Sequence, residues 1–224
     1  MDSIEFVETG MHHMQEGNYE KAAEYFELAV ECDPDYAHAH FILGFVCQKM
    51  GNYERAIEAF QRVILLNDRD STAFFHVGAC KHSQKKYNES VEWYNRAIER
   101  SPYDPEIHFY LGLAHHQMEV FSKAADSYLK AIELDEEDAK FYAALGEAYR
   151  AMEENERAVE NFVTAIKKDP GFAQLIKDIR ICKGIHLEDL VAKMGVPFDY
   201  LNKIEAGAIS PTSEQVETIV SFMK

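Results

Sequence analysis

Glycine recurs along this chain at a fixed interval of 34 residues, and this period constrains the fold more than any other feature of the sequence. A small residue follows each glycine by twelve positions, and an aromatic residue comes four positions later. Because these series share one period without an insertion, residues 3–172 are predicted to contain five copies of one structural unit. The glycines are Gly10, Gly44, Gly78, Gly112 and Gly146, and the aromatic residues are Phe26, Phe60, Tyr94, Tyr128 and Phe162.

Each unit is predicted to form two helices joined by a short turn. In the second unit the turn falls at Gly51-Asn52, between a helix that carries Gly44 and a helix on which Ala56 and Phe60 begin an apolar stripe. The small residues allow the two helices to approach closely, and the aromatic series is expected to fill the space between neighbouring units. Since proline cannot continue a helix, it is predicted to end the second helix at Pro34, Pro102 and Pro170.

This pattern resembles the tetratricopeptide repeat. The fifth unit carries the resemblance most fully, with Tyr142-x-x-Leu145-Gly146-x-x-Tyr149, then Ala158-x-x-x-Phe162, then Pro170. The resemblance implies an all-α protein, a right-handed solenoid of five helix pairs whose first helices line a concave groove. The predicted repeats are 3–36, 37–70, 71–104, 105–138 and 139–172.

The face that this resemblance assigns to the groove is apolar and aromatic in the middle repeats. Exposed apolar ladders mark interaction sites, so we expect a peptide or a protein segment to bind there. The alternative is that the phenylalanines pack against one another or against the chain's own terminus. A basic clamp of the kind that binds chaperone tails is not expected, because Val7, Phe41 and Phe75 occupy its lysine positions. The predicted groove residues are Val7, Met11, Phe41, Phe45, Phe75, His82, Phe109, Leu113 and His116.

The period ends after Pro170-Gly171, and residues 173–224 are predicted to form a separate module. Its pattern indicates four short helices at about 172–183, 187–194, 198–205 and 212–223. The segment resembles the Cro/C1-type (XRE-like) helix-turn-helix family through Ile179-Arg180, Lys183-Gly184, Leu190-Val191, Gly195-Val196, Leu201, Ile204-Glu205, Gly207, Pro211 and Ile219. That resemblance implies a recognition helix whose candidate contact residues are Phe198, Asp199, Tyr200, Asn202 and Lys203.

The charge of this module disfavours DNA as its partner. Residues 173–224 contain six basic and seven acidic side chains, and the rest of the chain carries −15 of the total charge of −16. A DNA-binding surface neutralises phosphates with basic side chains, and Leu187 stands where the related family often has a phosphate-binding glutamine. We therefore expect the aromatic surface at Phe198 and Tyr200 to dock a protein or to mediate self-association. The alternative is a DNA-binding transcriptional regulator in which the repeats act as the sensor.

Other kinds of site are not expected from the sequence. His76 and Cys80 lie one helical turn apart, but no third residue has the spacing of a metal ligand, so neither a metal nor another cofactor is predicted. Catalytic motifs such as HExxH, GxSxG and the P-loop are absent, which predicts a protein that is not an enzyme. The chain has no apolar run of membrane-spanning length and no signal-peptide pattern at its start. We therefore expect a cytoplasmic protein.

The helix that follows the repeats is expected to have two roles. A stack of repeats leaves an apolar face on its last helix, here at Phe162 and Ile166. The next helix carries Ile176 and Ile179 and starts where a sixth repeat would begin. The sequence thus predicts an adaptor with repeats in residues 1–172 and a module in residues 173–224 whose first helix also caps the repeats.

Overall fold

The computed structural model describes residues 2–223, and these form helices and connecting turns with no strand. Met1 and Lys224, at the ends of the two predicted modules, lie outside the described residues. The long helices are α1 (Ser3–Gln15), α2 (Tyr19–Cys32), α3 (Ala37–Lys49), α4 (Tyr53–Leu66), α5 (Ser71–Ser83), α6 (Tyr87–Arg100), α7 (Pro105–Gln117), α8 (Phe121–Leu134), α9 (Ala139–Ala151) and α10 (Asn155–Lys168). The shorter ones are α11 (Leu175–Cys182), α12 (Leu187–Met194), α13 (Phe198–Glu205) and α14 (Ser213–Phe222). The predicted all-α class is confirmed.

The chain divides into two compact units, and the boundary falls inside α7, after Ala114. In the first unit α1 packs on α2, α3 on α4, and α5 on α6, and the pairs are joined by packing of α2 on α3 and of α4 on α5. In the second unit α8 packs on α9, α9 on α10, and α10 on α11, while α14 contacts both α10 and α12. Within the described residues no helix is both long enough and apolar enough to span a membrane.

The periodic residues form the centre of the core. The aromatic residues of the 34-residue series are fully buried, and so are the small residues that precede them by four positions, which are Ala22, Ala56, Ser90, Ala124 and Ala158. A Cβ atom added to Gly44 would lie 2.9 Å from the ring of Phe60, and one added to Gly146 would lie 2.5 Å from the ring of Phe162. The glycine series therefore makes room for the aromatic ring of its own repeat. The predicted contact between repeats also occurs, since the rings of Phe60 and His76 stack with 4.9 Å between centroids.

The second helix of a repeat ends in the same way whether or not a proline follows it. Its last turn is followed by an extended residue, and in four repeats the side chain of that residue accepts a hydrogen bond from the N–H group two positions later. The donor–acceptor distances are 2.8 to 3.2 Å, and the accepting residues are Asp33, Asn67, Asp135 and Asp169. This Asx turn stops the helix by itself, which explains why Asp68 and Glu136 can replace the proline.

The first helices end on a residue in the left-handed conformation. Gly51 has φ of 78°, and the N–H group of Asn52 then bonds to the carbonyl of Cys47 at 2.8 Å, which closes the helix as in a Schellman motif. Lys85 occupies the same position in the next repeat with φ of 60°, although left-handed backbone is unfavourable for a residue with a Cβ atom. The left-handed turn is thus retained in a repeat that has lysine in place of glycine.

The helix after the repeats starts later than predicted. Residues Pro170–Phe172 form a 3₁₀ turn, and α11 begins at Leu175 instead of near residue 172. The carboxylate of Asp169 accepts a hydrogen bond from the N–H group of Gly171 at 2.8 Å, which stabilises this turn. Ile176 and Ile179 of α11 are fully buried.

The glycine–aromatic contact predicts a strong coupling between two substitutions. Gly146→Ala should destabilise the protein by about 1 kcal/mol, because overpacking against Phe162 outweighs the higher helix propensity of alanine. In a Phe162→Leu background the same change should be neutral or stabilising, since the ring that blocks the Cβ atom is gone. Urea unfolding followed by circular dichroism measures the four proteins of this cycle. Additive effects of the two substitutions would show that the ring does not require the glycine.

Candidate functional site

The predicted groove residues differ in how far they are exposed. Val7 is buried, and Met11 is half-buried against the same hydrophobic cluster in the first repeats. The half-buried residues, with part of the side chain open to solvent, are Phe41, Phe45, Phe75, His82, Phe109, Leu113 and His116. His116 belongs to the second compact unit, where its ring contacts that of Phe121 with 5.2 Å between centroids, and the others belong to the first unit.

A cavity of about 390 Å³ brings three of these residues together in the first unit. Phe45 comes from α3, and Phe75 and His82 come from α5, so that side chains of two successive first helices face a common space. The other lining residues are Gln48, Lys49, Tyr53, His76, Ala79, Ser83, Tyr94 and Tyr110. Five aromatic rings, those of Phe45, Tyr53, Phe75, Tyr94 and Tyr110, thus surround a space with several polar groups.

His76 organises the aromatic side chains beside this cavity. Its ring stacks on Phe60 and meets the rings of Phe41, Phe45 and Phe75 edge to face, with centroid distances of 5.5, 6.1 and 5.4 Å. Its Nδ1 atom lies 3.0 Å from Oε1 of Gln48, which fixes the ring orientation. Burial lowers the pKa of His76 to about 4, with nearby Asp70 opposing this shift and Lys49 adding to it. The imidazole is therefore neutral near neutral pH.

Two polar groups at the cavity have no hydrogen-bond partner among the described residues. They are the hydroxyl of Tyr94, a residue with no exposed surface, and Nε2 of His82. Burial raises the pKa of Tyr94 and lowers that of His82, so that both side chains are neutral near pH 7. Buried polar groups in folded proteins are normally paired, so these two unpaired atoms are an exception within the described residues.

Lys49 is the only lysine, arginine or carboxylate among the residues that line this cavity. It is exposed at the end of α3, its Nζ atom lies 5.2 Å from the ring centroid of Phe45, and it forms no salt bridge within residues 2–223. His76 and His82 are neutral near pH 7, as described above. Lys49 therefore gives the lining of this cavity one positive charge, in a chain with net charge −16.

Sequence reasoning did not identify Tyr53, Tyr94, Tyr110 and His76 as site residues. Tyr94 belongs to the core aromatic series, but it carries a hydroxyl where the first, second and fifth repeats have phenylalanine. This hydroxyl at a core position is the feature of the sequence that could have indicated a role for Tyr94 in a site. Tyr53 lies at the start of the second helix, outside the series assigned to the groove.

The candidate recognition residues lie on α13 in the second unit. Phe198 is 47% exposed, and Asp199, Asn202 and Lys203 are exposed as well. The Nζ atom of Lys203 lies 2.7 Å from Oδ2 of Asp199, so the one cation of the helix is paired with a carboxylate. Tyr200 is half-buried, and its hydroxyl has no hydrogen-bond partner within the described part of the chain.

Tyr200 lines a second cavity, of about 380 Å³, at the turn between α12 and α13. Its other lining residues are Met194, Val196, Pro197, Glu214, Gln215, Thr218 and Ile219. The cavity is mostly apolar, with Glu214 as the charged residue in its lining.

His76 and Cys80 do not belong to a group of metal-ligating side chains in the described residues. The group that has that geometry is His12, His13 and Glu16 at the end of α1. The Nδ1 atoms of His12 and His13 lie 3.6 and 3.2 Å from the carboxylate of Glu16. His12 and Glu16 are exposed, and these distances are those of surface histidine–carboxylate contacts on one helix end.

Family comparisons identify the class of protein. Profiles described as tetratricopeptide repeat match residues 13–74, 105–138 and 142–174, and one described as TPR repeat matches residues 78–119. The chain therefore belongs to the tetratricopeptide-repeat (TPR) proteins, and the predicted resemblance to this family is confirmed. A search of curated proteins finds no match.

Solved structures of TPR proteins share this fold. A structure of MamA from Desulfovibrio magneticus RS-1 is 22% identical, covers 75% of this chain and 94% of its own, and has a TM-score of 0.70. YrrB, described as a TPR protein with an unusual peptide-binding site, is 21% identical over 75% of this chain and 87% of its own, with a TM-score of 0.62. A thermophilic TPR protein of Thermus thermophilus is 18% identical over 80% of this chain and 95% of its own, with a TM-score of 0.57.

The low pKa of His76 predicts a specific pH dependence of stability. Between about pH 7 and about pH 4.5 the unfolded chain takes up a proton at this residue and the folded chain does not, so stability falls as the pH falls. The free energy of unfolding should decrease over this range by about 2 kcal/mol more in the wild type than in His76→Phe. Chemical unfolding at a series of pH values measures this difference. His38→Phe, at an exposed histidine, is the control and should keep the wild-type dependence. A parallel pH profile for wild type and His76→Phe would contradict this assignment.

Proposed function

We propose that this chain is a cytoplasmic, non-enzymatic adaptor that binds a peptide or a segment of a partner protein on its first helices. The observation that carries the proposal is the cavity lined by Phe45, Phe75 and Tyr110, where aromatic side chains of successive repeats surround an open space. Aromatic residues dominate the energetics of protein recognition because each buries a large apolar area with few rotatable bonds. An opening of this kind accepts a side chain of a bound segment.

The exposure of the other predicted groove residues supports this surface. Phe41 and Phe109 are half-buried, and Phe109 meets the ring of Tyr110 with 5.6 Å between centroids. We propose that these rings extend the contact surface on either side of the cavity. Val7, which is buried, supports the first repeat from within and makes no direct contact with the partner. The peptide-binding site described for YrrB agrees with peptide recognition by a protein of this fold.

We propose that residues 173–224 form a helix-turn-helix module in which α12 and α13 are the central pair. The packing of α13 on both α11 and α12 supports this arrangement. So does the pair of Arg180 on α11 and Glu205 on α13, whose two nitrogen–oxygen contacts are 2.7 and 2.9 Å. The buried Ile176 and Ile179, together with packing of α11 on α10, support a capping role for α11.

Protein docking suits this module better than DNA binding. Phe198 offers an exposed aromatic ring, whereas the charge of Lys203 is neutralised by Asp199 at 2.7 Å. Lys193 is also engaged, since its Nζ atom donates to the carbonyl of Phe222 at 2.9 Å. Phosphate recognition requires cations that are free to contact the DNA backbone.

Binding by displayed peptides tests the adaptor function. A library of random peptides is selected against the full chain, and the enriched peptides are then measured against variants by fluorescence anisotropy. Phe45→Ser should weaken their binding at least about tenfold, because it removes a ring from the cavity wall. Leu65→Ser is the matched control, since Leu65 is 77% exposed on α4 and outside the cavity. Equal binding by wild type and Phe45→Ser would contradict the proposed site, provided that circular dichroism shows both proteins to be folded.

The charge of α13 predicts the absence of specific DNA binding. At physiological salt, labelled duplexes that include the gene's own upstream region should bind no more tightly than about 10⁻⁵ M. Anisotropy titrations against these duplexes and scrambled duplexes of equal length provide the measurement. A nanomolar complex that prefers one sequence would instead establish the transcriptional regulator.

A further inference from the structure

The cavity formed by α3 and α5 combines three properties that restrict its ligand. Its wall is aromatic, through Phe45, Phe75 and Tyr110 among others. Phe75 meets Tyr110 edge to face at 5.0 Å and lies 5.8 Å from Tyr94, centroid to centroid, so these rings support one another. A rigid aromatic wall favours a flat or bulky apolar group, because aromatic rings pair in offset or edge-to-face arrangements.

The second property is the pair of unsatisfied polar atoms. The hydroxyl of Tyr94 and Nε2 of His82 are buried and have no partner among the described residues. The Gln48 amide is already engaged by His76 at 3.0 Å and is not equivalent to them. A ligand that pairs these two atoms gains hydrogen bonds that the free protein lacks.

The third property is the charge carried by the residues that line the cavity. Lys49 is at the rim, exposed and without a salt bridge in the described part of the chain, and no carboxylate lines the cavity. The chain as a whole is negatively charged, with 39 acidic residues against 23 basic ones. A basic segment would be attracted to the chain in general but repelled at this rim, whereas an acidic group is favoured here.

We propose that this cavity takes an aromatic or bulky aliphatic side chain of a partner segment that also carries an internal acidic side chain one or two residues away. The proposal rests on the adaptor function described above. The apolar side chain enters between Phe45 and Phe75, and the backbone beside it pairs with Tyr94 and His82. The acidic side chain contacts Lys49, because this lysine lies at the rim and not among the buried groups. The source of the carboxylate is a side chain and not the carboxyl terminus of the partner.

The enriched peptides of the displayed library provide the probe. We expect an acidic residue beside an aromatic or bulky aliphatic one in these peptides, above its frequency in the starting library. One such peptide is synthesised in four forms: unchanged, with glutamine for the acidic residue, with an amidated carboxyl terminus, and with alanine for the apolar residue. The glutamine form should bind at least about fivefold more weakly and the alanine form more weakly still, while amidation should have no effect.

Charge reversal at Lys49 tests whether this lysine contacts the acidic side chain of the peptide. Lys49→Glu should weaken the unchanged peptide at least about tenfold and should affect the glutamine form much less, since only the former carries the charge that Lys49 contacts. Lys21→Glu makes the same change of net charge at an exposed position on α2 and should leave both affinities unchanged. This control separates a local contact from a general effect of the chain's net charge.

Removal of one oxygen atom tests the buried hydroxyl. Tyr94→Phe keeps the ring and matches the residue found in other repeats, and the lost hydroxyl has no partner within the described residues. The melting temperature should therefore not fall, but peptide affinity should decrease roughly 3- to 10-fold. An unchanged affinity would remove Tyr94 from the site.

The possible results separate the two proposals. If the peptides depend on Phe45 but show no acidic preference and no response to Lys49→Glu, the adaptor function stands and the ligand class proposed here is wrong. Loss of binding on amidation would also overturn it, because the carboxylate would then be the chain terminus. If the peptides bind independently of Phe45, the proposed function itself is wrong, and this inference with it.

Discussion

The contact between a glycine on the first helix and an aromatic ring on the second holds each repeat together. The ring of Phe60 lies 2.9 Å from where a Cβ atom on Gly44 would be, and the ring of Phe162 lies 2.5 Å from the equivalent position on Gly146. Because the ring is fully buried and a Cβ atom on the glycine would clash with it, the glycine allows the two helices to pack this closely. A period of 34 residues then places one such pair in every repeat, and successive repeats can pack in the same way.

Most of the aromatic rings at the candidate site lie outside this contact, and Tyr94 belongs to both. Phe41, Phe45 and Phe75 on α3 and α5 surround His76, whose ring stacks on the core residue Phe60. His76 therefore connects the core of one repeat with the partly open surface of the next. Its burial lowers its pKa and keeps it neutral, so the aromatic cluster does not have to accommodate a charge near neutral pH. The polar groups left at the cavity are then those of Tyr94, His82 and Lys49.

In the second unit, basic side chains on α11 and α13 form salt bridges within the protein. Arg180 is bound to Glu205, and Lys203 is bound to Asp199, so that these basic side chains are used within the protein. The exposed ring of Phe198 is then the distinctive feature of α13. A helix with this combination presents an apolar contact more readily than a phosphate contact, which agrees with the charge argument from the sequence.

The sequence by itself determined the helical class, the repeat length and the core, because each depends on residue types at a fixed spacing. Gly44, Phe60 and the residues equivalent to them could be assigned without a structure, and so could the limits of α12 and α13. The tertiary structure alone decided which side chains share the cavity. Tyr53, Tyr94 and Tyr110 come from different helices, and their meeting with Phe75 depends on how the helices pack and not on any local pattern. In the two repeats without a proline, the second helix ends at an Asx turn, at Asn67 and Asp135, which the periodic pattern does not identify. Periodicity reports which face of a helix is buried, whereas a site is defined by distances between helices, and those distances follow from packing.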